Sequence, residues 1–322
     1  MRHALLFLSL LFYLFPSPRA SAVEKHAPPM TRSQSVGQLF RLNPPIYGVL
    51  RGDVPFEFEA GRTVANLWAR DKRFLVDAEV IDDRARFSFL LQPWLKLGLG
   101  ISSRRFAATD TDQIAISFHD LFMLGQDGRL EAGKHHTRYK IPDYNLEFGQ
   151  PDRDHVLSEQ IEADLSFPLL SGEAVDWQIT GSLLVGREGA SASPYGRGSL
   201  DYGFQLNADY PWLEGRVYAA LTQVFYDRAS RARTPTERQQ AGWTLGTAQP
   251  IALAHELIGQ LMVLRPVFRE LGQLSRNSYE TQFAYRYHWQ KAAIELTLIE
   301  NIFWLYNSPD WGLSLGLRTA LY

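Results

Sequence analysis

Residues 199–210, SLDYGFQLNADY, alternate without a break. Leu200, Tyr202, Phe204, Leu206, Ala208 and Tyr210 share one face of an extended strand. Ser199, Asp201, Gly203, Gln205, Asn207 and Asp209 share the other. An ordinary soluble strand ends after about five or six residues. About ten residues of apolar-out, polar-in alternation with aromatic ends is what a transmembrane β-barrel strand requires. A chain that repeats this pattern has few other folds open to it.

The pattern repeats. Trp311, Leu313, Leu315 and Leu317 alternate with Gly312, Ser314, Gly316 and Arg318. Tyr279, Thr281, Phe283 and Tyr285 alternate with Glu280, Gln282 and Arg286. Similar stretches lie at 174–186 and 94–105, and weaker ones at 62–70, 73–81, 84–91, 156–168, 214–227, 240–249, 255–269 and 291–304. With the C-terminus on the periplasmic side, short connections near 92–93, 171–174, 211–215, 250 and 290–291 fall inside. Long ones at 106–155, 188–198, 228–240, 270–277 and 306–310 fall outside. Outer-membrane barrels distribute their loops in this way. Trp94, Tyr210, Trp212 and Trp289 then mark an inner aromatic belt, and Tyr226, Trp304, Tyr306 and Trp311 an outer one. The predicted fold is all-β, an antiparallel transmembrane barrel of 12 to 14 strands. Twelve follows if one strand has been divided in two, fourteen if another hides in 46–60.

The beginning of the chain agrees with export. Arg2 and His3 precede the apolar run Ala4–Phe15, too short for a membrane helix, and Ala20-Ser21-Ala22 supplies small residues before Val23. This predicts a signal peptide over 1–22, cleaved near Ala22, and an outer-membrane address in a Gram-negative bacterium. Residues 23–61, with Pro28-Pro29 and Pro44-Pro45, read as an extended segment serving as a plug or first strand. Residues 62–322 read as the barrel. The chain holds no cysteine, which excludes thiol chemistry and cysteine-ligated metals. A net charge of −2 gives no bias toward nucleic acid. A soluble sandwich or propeller would need shorter strands with capped edges, or a repeat of about 40 residues.

The end of the chain carries an assembly signal in outline: Gly316, then Leu321 closing the apolar face, then an aromatic Tyr322. This makes the barrel-assembly machinery an expected partner. Thr31-Arg32-Ser33-Gln34, Val80-Ile81-Asp82-Asp83, Phe118-His119-Asp120-Leu121-Phe122 with Gly128-Arg129, and Asp310-Trp311-Gly312-Leu313 together resemble an uncharacterised family of Gram-negative outer-membrane barrels. The resemblance implies a barrel and an outer-membrane address, and brings no activity.

Several residues are candidates for function. Residues 112–125 read as an amphipathic helix with Ile114, Phe118, Leu121 and Phe122 in one stripe. Phe118, His119, Asp120, Leu121 and Phe122 are therefore constriction candidates, on a loop helix packed in the barrel mouth. Asp77, Glu79, Lys96, Arg104, Asp176, Asp201, Asp209, Glu280, Arg286 and Arg318 are predicted to face the lumen. Their mixed signs predict no strong ion bias. Arg228, Arg231, Arg233 and Arg238 form a basic outer loop suited to lipopolysaccharide phosphates. His135-His136, near His119, match no metal-site spacing, so no metal or other cofactor is expected. His255-Glu256 and His288 lack an accompanying nucleophile motif, so no catalytic residue is assigned.

The predicted function is a channel or solute-binding barrel of unknown substrate, seated among outer-membrane lipid and lipopolysaccharide, with a small solute as its cargo. A plugged structural or surface-interaction barrel is the alternative. A lipid hydrolase comes third.

Overall fold

Alternation of this length leaves each strand with one face that needs lipid and one that needs polar neighbours, and closing the sheet into a ring satisfies both. The computed structural model describes residues 26–37, 42, 54–107, 111–122, 138–144, 146–148, 155–172, 177–189, 199–227, 236–301 and 307–320. Among these, the strands in chain order are β1 (Phe56–Asp71), β2 (Phe74–Gln92), β3 (Leu95–Phe106), β4 (Arg138–Ile141), β5 (Leu146–Phe148), β6 (His155–Gly172) and β7 (Trp177–Glu188). They continue with β8 (Leu200–Trp212), β9 (Gly215–Phe225), β10 (Gln239–Ala252), β11 (His255–Leu264), β12 (Ser278–Trp289), β13 (Ala292–Glu300) and β14 (Trp311–Ala320). A helix, α1 (Thr111–Phe122), lies between β3 and β4.

Each long strand pairs antiparallel with its neighbour around a ring, and β1 closes it by pairing with both β14 and β2. Twelve strands form the wall. The short β4 and β5 extend the sheet from the outer part of β2, where Leu75 stands opposite Lys140. Twelve rather than fourteen results because 74–92 is one continuous strand, with no break in pairing to β1 from Phe89 to Phe74. The predicted 62–70 strand begins earlier, at Phe56. Two-residue turns at Leu213-Glu214 and Gln290-Lys291 close the inner end. Leu213 (φ 54°) and Gln290 (φ 50°) take the left-handed conformation that tight hairpins demand.

The stretch from Leu200 to Tyr210 is β8, and its residues alternate strictly between exposed and buried. Tyr210, Trp212, Trp94 and Trp289 are about half exposed at the inner end, as an interfacial belt requires. The outer belt differs from expectation. Trp311 and Tyr226 are buried, Tyr226 donating its hydroxyl to Gln240 at 2.7 Å. Tyr202, Phe204 and Trp243 carry the exposed aromatic surface there instead. Trp304 and Tyr306 lie outside the described residues, as do residues 1–22, Leu321 and Tyr322.

Candidate functional site: a strapped lumen

The inward face is built from ion pairs between neighbouring strands, and in two cases between strands one apart, Arg86–Asp164 over β3 and Lys96–Glu57 over β2. Arg84 (β2) reaches Glu59 (β1) at 3.1 Å, and Arg318 (β14) reaches the same carboxylate. Arg86 pairs with Asp164 at 2.9 Å, Lys96 with Glu57 at 2.8 Å, Arg104 with Asp82 at 3.2 Å and Arg216 with Asp209 at 3.0 Å. Arg286 on β12 lies between Glu256 (3.0 Å) and Glu295 (2.6 Å). The spacing of these pairs follows from the fold. An inward residue's cross-strand neighbour is also inward, so opposite charges on adjacent strands meet without long reaches.

Through this wall runs the chain's own N-terminal segment. Residues 26–37 form a strap whose contacts climb from the inner to the outer end. At the inner end the His26 amide donates to Glu256 (2.9 Å), and Arg286 donates to the carbonyls of Ala27 (2.9 Å) and Pro28 (2.7 Å). The Met30 amide donates to Glu295 at 2.7 Å. The Met30 side chain lies against Gly316, where a Cβ would stand 2.9 Å from the Met30 sulfur. Glycine there makes room for the strap.

Midway, Arg32 grips Glu162 of β6 with both guanidinium nitrogens, the second contact at 2.7 Å. Ser33 Oγ (3.0 Å) and the Gln34 amide (2.8 Å) both donate to Glu280 of β12, and Gln34 Nε2 donates to Asp82 at 3.0 Å. In the ring order β6 and β12 stand opposite one another, six strands apart either way. Three consecutive strap residues therefore bridge the lumen from wall to wall.

At the outer end Val36 enters an apolar cluster, and the Leu42 amide donates to Asp201 at 3.1 Å. The chain is back at the inner end by Val54, which packs on Met30, Ala293 and Ala320.

The outer end of the lumen is apolar. Leu67, Phe74, Val76, Val80, Phe106, Tyr139, Ile141, Phe268, Leu271 and Leu274 form one buried cluster with Val36. It draws on the outward extension of β1 and β2, on β4, and on the connection between β11 and β12.

Seven of the predicted lumen residues stand in this network: Lys96, Arg104, Asp201, Asp209, Glu280, Arg286 and Arg318. Asp176 lies outside the described residues. Asp77 and Glu79 are a correction. The inward set on β2 is even-numbered (Val76, Ala78, Val80, Asp82, Arg84, Arg86), so these two odd-numbered residues point away from the lumen. Only if 74–92 were two strands could both parities face inward, and it is one.

The helix is a second correction. α1 packs against β1, Thr111 donates its hydroxyl to Glu79 at 2.6 Å, and His119 lies 3.5 Å from Asp310. Asp310 in turn donates its amide to the Asn66 carbonyl. All of these belong to the face of the β1–β2 extension opposite the lumen, so α1 lies outside the wall and forms no constriction. Its buried face is Thr111, Ala115 and His119. Ile114, Asp120 and Leu121 are exposed, and Phe118 is half-buried. The side chain of Phe122 lies outside the described residues, as do His135, His136, Arg228, Arg231 and Arg233. Arg238 is exposed, and its carbonyl accepts from the Tyr226 amide.

Three groups of residues in the strap network have no distinguishing pattern in the sequence. Arg32, Ser33 and Gln34 had registered only as part of a resemblance. Glu295 was not singled out. Glu256, beside His255 an acid–base candidate by sequence, accepts the His26 amide and pairs with Arg286.

The family described as a protein of unknown function (DUF3187) matches residues 6–321. No curated protein matches the chain. Among solved structures, the COG4313 outer membrane channel from Pseudomonas putida F1 is similar at 11% identity, with 87% of this chain and 100% of that chain covered and a TM-score of 0.54. The NanC porin follows at 8% identity, 83% and 100% coverage and a TM-score of 0.47. The KdgM porin stands at 8%, 83%, 99% and 0.45. At 11% identity the likeness to the Pseudomonas putida channel is one of fold, that of an outer-membrane barrel.

Proposed function

We propose, from the premise that this chain belongs to the DUF3187 family, that it is an outer-membrane channel for small polar solutes, closed in the described state by its own N-terminal strap. The observation that carries this reading is the lining. The lumen is lined by ion pairs, and a pore uses such side chains to set what passes. Between its apolar contacts at Met30 and Val36 the strap meets that lining through hydrogen bonds and one ion pair, where water or a polar solute can take its place. The Pseudomonas putida relative of similar fold is itself called a channel.

Planar-bilayer recording tests the reading. The full chain is expected to conduct rarely, and a variant lacking residues 26–37 to give frequent steps. A folded deletion barrel with no steps and no solute uptake into liposomes would sink it. The apolar cluster at the outer end favours a second reading, a permanently capped barrel acting through its outer surface. Under that reading the deletion barrel stays silent until Phe74, Phe268 and Leu271 are also replaced by serine, or stays silent altogether.

A further inference from the structure

Most of the strap's donors meet one chemistry. Its positive charge and its N–H and O–H groups go to carboxylates, namely Glu256, Glu295, Glu162, Glu280, Asp82 and Asp201, while its carbonyls at Ala27, Pro28 and Arg32 accept from Arg286 and Gln282. We infer that the open lumen is selective for cationic, donor-rich solutes, with a guanidinium-sized subsite at Glu162 and a second carboxylate at Glu280 facing it across the bore. This rests on the channel reading and names its substrate class.

The argument is one of matching charges. Most wall cations already have wall carboxylates, and Arg84 also lies within electrostatic reach of Glu162. Arg84 and Arg318 share Glu59, Arg86 holds Asp164, Lys96 holds Glu57, Arg104 holds Asp82 and Arg216 holds Asp209. Arg286 serves Glu256 and Glu295 together. Glu162 and Glu280 differ. Among the described residues Glu162 forms its ion pair with Arg32 of the strap, and Glu280 takes two of its donors from Ser33 and Gln34. Withdrawing the strap leaves the wall's internal pairs intact and exposes these two carboxylates on opposite strands at mid-height. A wall that neutralises its own cations and borrows a cation from the strap carries excess negative charge once the strap has gone. The mixed signs in the sequence had hidden this, because the pairing decides what is left over.

Arg32 also defines a shape. A carboxylate accepting two parallel N–H bonds recognises a planar fork, which an arginine side chain or a guanidino solute presents and a compact ammonium does not. Arg32 holds the place that such a solute would take.

Reversal potentials in a KCl gradient test the inference, using the barrel lacking residues 26–37 and, independently of that deletion, the spontaneous openings of full-length Arg32→Gln. A several-fold preference for potassium over chloride is expected, falling toward unity in Glu162→Gln/Glu280→Gln. Chemical rescue supplies a readout without conductance. Methylguanidinium should raise the temperature of the heat-modifiable gel shift for Arg32→Ala, and should not do so for Arg32→Ala/Glu162→Gln. Anion preference, or a cation preference untouched by the two glutamine substitutions, overturns the selectivity while leaving a channel. Equal response of both rescue variants overturns the subsite. A folded barrel with no conductance sinks the channel reading and this inference with it.

Discussion

Replacing Arg32 by methionine should shift the balance between strap-in and strap-out states by about two orders of magnitude. Both members of the Arg32–Glu162 pair are almost wholly buried, with side-chain exposures of 2% and 5%. Removing one member of such a pair leaves a buried charge uncompensated and costs roughly 3–5 kcal/mol. That cost falls on the strap-in state, because water reaches Glu162 once the strap has left. Taking the lower figure, about 3 kcal/mol corresponds to a factor of about 150 in the equilibrium. Glu162→Gln should do less, since the amide oxygen still accepts one of the two N–H bonds. The double variant Arg32→Met/Glu162→Gln should lie closer to the native protein than Arg32→Met alone, because neither charge is left stranded. Open probability in planar bilayers, at fixed voltage and salt, reads all four corners of this cycle. An unchanged open probability for Arg32→Met would refute the reasoning. So would a double variant whose effect is the simple sum of the singles, since contacting groups must couple.

Gly98→Ala should weaken the wall itself. A Cβ there would stand 2.4 Å from Arg86 Nη2 and closer still to Asp164, so the ion pair must part. The urea midpoint of the folded barrel is expected to fall by an amount equivalent to a few kcal/mol, on the order of a broken buried pair. Leu206→Arg puts a charge on the lipid-facing side of β8 and should cost about 2–4 kcal/mol in vesicles if it lies near the bilayer midplane. Urea titration against Leu206→Met measures it. Phe268→Ala removes a buried ring from the outer apolar cluster, a loss of about 3–5 kcal/mol in well-packed cores. Its effect should be local, with faster proteolysis of the outer connections and an unaltered gel shift of the barrel.

The strands were legible because each carries its own evidence: β8 and β14 alternate for their whole length, and neither needs a partner to be recognised. The division of β2 shows the limit. Asp82 and Asp83 look like a turn in sequence, yet Asp82 faces Arg104 across the lumen side while Asp83 on the other face holds Arg62. A charged pair in the middle of a strand cannot be told from a turn without knowing the neighbouring strands. The strap was less legible for a similar reason. Thr31–Gln34 has no periodicity, and its partners on the wall lie from 32 to 250 residues away. The helix was read correctly in kind and placed wrongly. Its apolar stripe suggested burial, but the surface that receives it offers Glu79, Asn66 and Asp310, so the polar Thr111 and His119 turn inward.

The partners of the strap bear on the order in which the molecule comes together. Met30 answers to β13, Ser33 to β12 and Gln34 to both β12 and β2. The inner part of the strap, His26 to Met30, therefore has little to hold until nearly the last strands exist, whereas Arg32 and Gln34 find Glu162 and Asp82 earlier. Contacts of such long range form slowly, because the loop between them must close first. Val54, one step ahead of β1, packs with Met30 and Ala320 at the place where β1 meets β14. The strand that completes the ring thus comes tethered to the segment that fills it. Sealing the sheet and expelling water from its interior become one late event, and an assembly arrested before β12 would be an unfilled curved sheet with a loose N-terminal tail.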